Sequence, residues 1–357
     1  MSARVHAFLE LAVNQKGSDL HLVAGQSPCI RMNGLLHRVR FRDLSNEDVE
    51  QMLAEIMSER HQEELDEKLA VDFGYEAPGL GRFRVNAYRH LRGTAAAMRF
   101  IPAAVPTLEE LGLPASIRMQ TLQPKGLTLV TGPTGSGKST TLAAMIDLVN
   151  QTRKGHVITI EDPIEYLHEH KGCVVTQREI GIHAPSFSEA LRHALREDPD
   201  VILVGELRDL DSIALALTAA ETGIQVLGTL HTSGASRTVD RIVNVFPARR
   251  QDQIRSMLAD SLRMIVSQQL VRTTDGTRRL AAVEVLVNTH AAASMIRTGN
   301  THKLESVIQS GAAIGMQSLD ATLKDLVRRG VIPAEEAHAH ALDKAQFERV
   351  VATREAA

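Results

Sequence analysis

The segment Gly132-Pro133-Thr134-Gly135-Ser136-Gly137-Lys138-Ser139, followed by Thr140, constrains this chain more than any other. It fits the phosphate-cradle pattern G-x-x-x-x-G-K-[ST]. An apolar run, Leu127–Val130, precedes it, and Leu142, Met145, Ile146 and Val149 follow at helical spacing. A strand, a tight loop and a helix are the context the pattern needs. The glycines let backbone N–H groups wrap a phosphate, and the helix points its positive end at the same place. Lys138 supplies a cation for the β- and γ-phosphates, and Ser139 a hydroxyl for Mg²⁺. A chance match in a chain of this length arises on the order of one time in a hundred at ordinary residue frequencies. Residues Gly132, Pro133, Thr134, Gly135, Ser136, Gly137, Lys138, Ser139 and Thr140 are therefore read as a nucleoside-triphosphate site.

A chain of 357 residues is long enough for two or three domains. With aromatics at 3% and no Trp, its cores must rest on Leu, Ile, Val, Ala and Met. The net charge of −3 gives no basic excess of the kind nucleic-acid binders carry. Cys29 and Cys173 form no C-x-x-C pair and read as buried thiols of a reducing compartment. No signal core and no run of 18 apolar residues occurs, so neither secretion nor a membrane span is expected.

Two patterns divide the chain. Up to residue 100, a helix (Val5, Phe8, Leu9, Ala12, Val13) precedes a strand around Leu20 and Leu22. A hairpin across Asn33-Gly34 and a capping box at Ser45–Asp48 follow, then strands at Val71–Tyr75, Arg82–Tyr88 and Thr94–Phe100. That is a small α+β domain, residues 1–100, with an antiparallel sheet. Pro102, Pro106 and Pro114 mark 101–114 as a linker. From 115 to 357 apolar strands alternate with helices: Leu127–Val130, Val157–Ile160, Val201–Val204, Val226–Leu230 and a late Ala281–Val287. Such strands suit a parallel α/β sheet covered on both faces. The last 55 residues or so read as helices.

Three strand tips carry chemistry. Val201–Val204 runs into Gly205-Glu206, a carboxylate where triphosphatases face Mg²⁺ or its water shell. Ile158-Thr159-Ile160 runs into Glu161-Asp162-Pro163-Ile164-Glu165, where Pro163 stiffens the turn and Glu165 could orient an attacking water. Gly228-Thr229-Leu230 ends at His231, placed to sense a γ-phosphate. In the first domain Arg82, Arg84, Arg89, Arg92 and Arg99 cluster, and in a ring such arginines could reach a neighbour's γ-phosphate.

These segments, with Gly17–Leu22, Arg82–Asn86, Ala194–Asp200, Gly205–Asp209, Ala220–Gly223 and Gly315–Asp320, resemble the PilT-type ATPases that retract type IV pili, within the secretion ATPase superfamily. The resemblance runs over nearly the whole chain in the family's order. It implies a cytoplasmic homo-hexamer, peripheral at the inner-membrane pilus base, working on an inner-membrane platform protein and the pilus machinery with ATP and Mg²⁺. Each subunit would carry a PAS-like N-terminal domain before a RecA-like P-loop ATPase domain. By motif matching, Glu165 is the general-base candidate and Glu206 the Walker B glutamate, with Ser139 and Glu206 at the metal. His231 belongs to the histidine box, and Arg84 and Arg99 are the nominees that reach ATP.

Two stretches depart from the family pattern. Ile224 stands where the histidine box has its first histidine, and Ala293, Ser294 and Thr298 replace Arg, Asn and Glu of a helix linked to retraction. Assembly-side relatives carry an extra N-terminal domain and a four-cysteine zinc motif, neither expected here. A nucleic-acid motor is disfavoured by the charge, and a non-hydrolysing subunit by the retention of Lys138, Ser139, Glu165 and Glu206.

Overall fold

The computed structural model describes residues 4–32, 34–101 and 104–348. Asn33 of the expected hairpin turn and Pro102 of the expected linker lie outside the described residues. Two compact units emerge. One comprises the chain up to Ala104 together with Pro163–Leu167; the other comprises Val105–Asp162 and the chain from His168.

The first unit is a six-stranded antiparallel sheet. Its strands are β1 (Asp19–Val23), β2 (Cys29–Met32), β3 (Leu35–Arg38), β4 (Ala70–Ala77), β5 (Gly81–His90) and β6 (Gly93–Ile101), in the order β3-β2-β1-β6-β5-β4. Alternation decides its faces. Along β5, Phe83, Val85 and Ala87 are buried while Arg82, Arg84 and Asn86 point to the other side. Helices Arg4–Asn14, Asn46–Ala54 and Glu59–Lys68 contribute Val5, Leu9, Val49, Met52 and Leu65 to the same core as those strand residues. The capping box is present: Asp48 N–H donates to Ser45 Oγ at 3.2 Å, and Ser45 N–H to Asp48 Oδ2 at 2.7 Å.

The second unit holds seven strands: β7 (Gly126–Thr131), β8 (His156–Glu161), β9 (Val174–Glu179), β10 (Val201–Val204), β11 (Gln225–Leu230), β12 (Leu262–Arg272) and β13 (Arg279–Val287). Their order is β13-β12-β7-β11-β10-β8-β9, parallel except for the antiparallel edge strand β13. Every residue of β7, β10 and β11 is buried, as expected of parallel strands covered on both faces. A smaller apolar cluster joins Val271 and Ala282 to Leu319, Leu323, Ile332 and Phe347, seating the C-terminal helices on β12 and β13.

Three features differ from the sequence reading. Strand β12 is unannounced because helix Ala248–Ser261 passes into it at Leu262 with no Gly, Pro or polar turn between them. Edge strand β9 is too polar, Val-Val-Thr-Gln-Arg-Glu, to stand out by hydropathy. The stretch read as a linker is partly embedded, since Leu108 and Leu113 pack into the core of the second unit. Phe83, 1% exposed against Phe100 at 5.5 Å between ring centroids, anchors the first core. Phe83→Ala is expected to destabilise the protein by about 3–5 kcal/mol, read by denaturant unfolding with circular dichroism.

Candidate active site

In a parallel sheet the carboxyl ends of the strands share one edge, where α/β sites form. Here β7, β11, β10 and β8 are consecutive, so their tips line up: the glycine loop after Thr131, His231 after Leu230, Glu206 two residues past Val204, and Glu161 at the end of β8.

The loop turns on three left-handed glycines, the middle one being Gly135 at φ 78°. Gly132 has φ 144° and Gly137, the cap of helix Lys138–Thr152, has φ 86°. A Cβ at Gly132 would overlap the backbone oxygen of Gln268 and sit 2.7 Å from Ser136 Oγ, so only glycine fits. Gly137 has no side chain to accept from the first turn of the helix, which leaves those N–H groups for an anion. Lys138 is buried and folds back over the loop: its Nζ donates to the carbonyls of Gly132 at 2.9 Å and Pro133 at 3.0 Å. Ser136 Oγ and Thr131 Oγ1 are buried without a hydrogen-bond partner. Orphaned hydroxyls beside a cradle of N–H groups suit phosphate oxygens. Ser139 is exposed at the start of the helix, where its hydroxyl can reach a metal ion held by a nucleotide.

Glu206 is held from both flanking strands. Gly205 N–H donates to Ile160 O at 2.7 Å, Thr229 Oγ1 donates to Gly205 O at 2.5 Å, and Leu207 N–H donates to Thr229 O at 2.9 Å. Its two carboxylate oxygens have separate partners, Arg208 Nε at 2.6 Å and His231 Nε2 at 3.3 Å. Burial pushes this carboxyl upward, but the Arg208 hydrogen bond and charge, joined by His231, outweigh it and hold the group below the usual carboxylate range. The same pairing raises the Arg208 guanidinium. Glu161 accepts from Thr159 Oγ1 at 2.6 Å.

The structure therefore brings the phosphate loop, Glu206 and His231 to one edge. Glu165 it groups with the first unit rather than with the domain the sequence division gave it. There Glu165 Oε1 accepts from Arg84 Nη1 at 3.4 Å, and Arg84 also faces Asp72 at 3.7 Å. Arg99 donates to the buried Asp19 at 2.9 Å. Cross-strand register explains this, because Arg84, Arg99 and Asp19 are successive partners on one sheet face. Arg89 is tied up with Glu50 and Asp66. Ile224 stands just before β11, at the opposite end of that strand from His231. Of the altered retraction-linked stretch, Ala292 and Ile296 are buried, Thr298 is exposed, and Arg297 pairs with Asp260 at 2.6 Å. An open cavity of 500 Å³ lined by Gly155, His156, Asp198 and Asp200 lies at the amino ends of β8 and β10, away from this chemistry.

Sequence reasoning missed the residues that mount the His231 loop. Ser267 Oγ accepts from Gly234 N–H at 2.8 Å, and Glu284 Oε1 accepts from Ala235 N–H at 2.7 Å. The two residues face each other across β12 and β13, and the single legible sign was a pair of polar residues in otherwise apolar strands.

Fold and site together define a P-loop ATPase. The chain belongs to the type II/IV secretion system protein family, whose model matches residues 2–339. It is 50% identical over 329 residues to the type IV pilus retraction ATPase PilT of Pseudomonas aeruginosa, covering 92% of this chain and 95% of that one. It is 49% identical over 319 residues to a twitching motility protein of Neisseria gonorrhoeae, covering 89% and 85%. A crystal structure of the pilus retraction motor PilT with bound ADP superposes with a TM-score of 0.88 at 43% identity, covering 97% of this chain and 99% of that one. Among the described residues no helix is long and apolar enough to cross a membrane.

Two outcomes follow from this geometry. Gly132→Ala is expected to weaken ADP binding roughly tenfold or more, because the added methyl group and the strained φ each cost about 1–3 kcal/mol; isothermal titration checks it. Burial pushes the Glu284 carboxyl above its ordinary value of 4.5, against the opposing hydrogen bond from Ala235. A raised folded pKa means a contribution that is full below the unfolded value and is lost as pH rises through the folded one. Glu284→Gln lacks that loss, so its stability relative to the parent should increase as pH climbs, with melting temperatures between about pH 4 and about pH 8 as the readout.

Proposed function

We propose that this protein is the ATP-hydrolysing motor that retracts a type IV pilus and so drives twitching motility. The observation that carries the reading is Glu206, fixed from both neighbouring strands beside the phosphate loop, in a chain half identical to a retraction ATPase. In this reading the loop N–H groups and Lys138 bind and orient the β- and γ-phosphates. Ser139 and Glu206 are the residues that would hold Mg²⁺, which when bound neutralises charge on the phosphate oxygens. Glu165 orients and deprotonates the attacking water, and His231, through its contact with Glu206, reports on the γ-phosphate.

Residues 1–100 act as a PAS-like domain, 101–114 as the connection and 115–357 as the RecA-like ATPase domain. The chain works as a homo-hexamer at the cytoplasmic side of the inner membrane, against a platform protein. Arg84 and Arg99 leave their carboxylate partners to reach ATP. The Arg84 pairs are partly exposed and worth roughly 0–1 kcal/mol each, so phosphate charge can displace them; Arg99 is itself largely exposed, and its buried partner Asp19 still faces Arg31 when Arg99 leaves.

A second reading, a partner to a main retraction motor, is favoured by the helix His290–Arg297, where Ala293 and Ser294 stand in place of hydrogen-bonding residues. Ala293→Arg, Ser294→Asn and Thr298→Glu together should then strengthen retraction with the ATPase rate unchanged.

A strain lacking the gene should show excess surface pili and no twitching. Complementation by Lys138→Ala should fail, as should Glu206→Gln, which is expected to bind ATP but hydrolyse it roughly a hundredfold more slowly. Normal twitching without the gene would overturn the retraction reading, and full turnover by Glu206→Gln would remove that residue from catalysis.

A further inference from the structure

The phosphate loop is braced from behind by a residue its motif does not contain. Gln268, on β12, is 2% exposed. Its Nε2 donates to the carbonyl of Ser136 at 2.7 Å, and its Oε1 accepts from Thr141 Oγ1 at 2.8 Å. The orientation of the carboxamide is chemically fixed, since a carbonyl can only accept and the amide nitrogen must face Ser136. One side chain thus joins the crown of the loop to the first turn of helix Lys138–Thr152. The same residue abuts two of the loop's three left-handed glycines. Its backbone oxygen fills the space a Cβ on Gly132 would need, and its Nε2 lies 2.8 Å from where a Cβ on Gly137 would sit.

We propose that Gln268 is a positioning residue for nucleotide binding, holding the phosphate loop in its binding shape before the nucleotide arrives. This rests on the reading of that loop as the nucleotide site. The physical need is clear from the sequence. Between Thr131 and Lys138 stand Gly132, Gly135 and Gly137, each free to populate many conformations. A loop that samples other shapes lowers apparent affinity in proportion to the fraction that remains competent. The clamp uses the Ser136 carbonyl and leaves the Ser136 hydroxyl unpartnered in the cradle. Gln268 itself touches no phosphate in this scheme. It acts through Ser136 and Thr141.

The test uses the full-length protein and ADP titrated by calorimetry, with ATPase kinetics and circular dichroism on the same samples. Gln268→Met keeps the volume and removes both hydrogen bonds. It should weaken ADP binding roughly tenfold and raise the KM for ATP comparably, with kcat at saturating ATP within about twofold. Gln268→Glu should weaken it further, because it turns an acceptor toward the Ser136 carbonyl and adds an anion near the phosphates. Thr141→Val should lose part of the affinity, and Thr141→Ser, which keeps the hydroxyl, should retain it. Parental ADP affinity in Gln268→Met would overturn the proposal. So would an affinity loss that only tracks the unfolded fraction, or a fall in kcat with KM unchanged. Lys138→Ala separates the two levels: if the parent binds ADP and Lys138→Ala binds it equally well, the nucleotide-site reading itself fails, whatever Gln268 does.

Discussion

Six consecutive residue pairs between β7 and β11, from Gly126 with Gln225 to Thr131 with Leu230, set the height of every group at the site. A slip of one residue would turn each side chain to the other face and move His231 away from Glu206. Buried, bulky side chains on both faces make such a slip costly, so the register is rigidly specified. The next contact out, Thr229 to Gly205 and Leu207, carries that precision to β10, and Gly205 to Ile160 carries it to β8. The carboxylate of Glu206 is therefore positioned by main-chain geometry first and by its own ion pairs second.

Much of this was legible in the sequence. The phosphate loop declares itself because left-handed turns and close packing demand glycine at fixed spacing. Glu206 and His231 are legible because an apolar run ending in a polar group is what a buried strand tip looks like. What was illegible depends on contacts between distant segments. Gln268 and Glu284 are polar residues inside apolar strands, and nothing local tells whether such a residue meets a hydrogen-bond partner 132 or 49 positions away. Strand β12 was hidden because propensity changes there without punctuation. Glu165 falls by its place in the chain within the ATPase domain, whereas its contact with Arg84, 81 residues earlier, decides where it packs.

The first unit shows how a basic face is kept quiet. Its outward strand face carries Arg31, Arg84 and Arg99, and each faces an acid: Asp19 for Arg31 and Arg99, Asp72 and Glu165 for Arg84. The Asp19 end of this network is buried while its arginine partners are partly exposed, so Asp19 is the fixed member and Arg31 and Arg99 the exchangeable ones. Burial of His21 in the same region holds its imidazole below the ordinary value, which keeps a further positive charge off this face near neutral pH.

The ammonium of Lys138 folds back onto its own loop. Folding has already buried this cation and turned it onto two carbonyl oxygens of the loop itself. An entering ligand does not have to dehydrate it; it has to outbid those carbonyls. A neutral ligand oxygen offers no more than those carbonyls do, whereas a polyphosphate brings full negative charge to the same distance. The loop thus favours anionic charge through a competition between oxygens at Lys138, not through the size of the cradle alone.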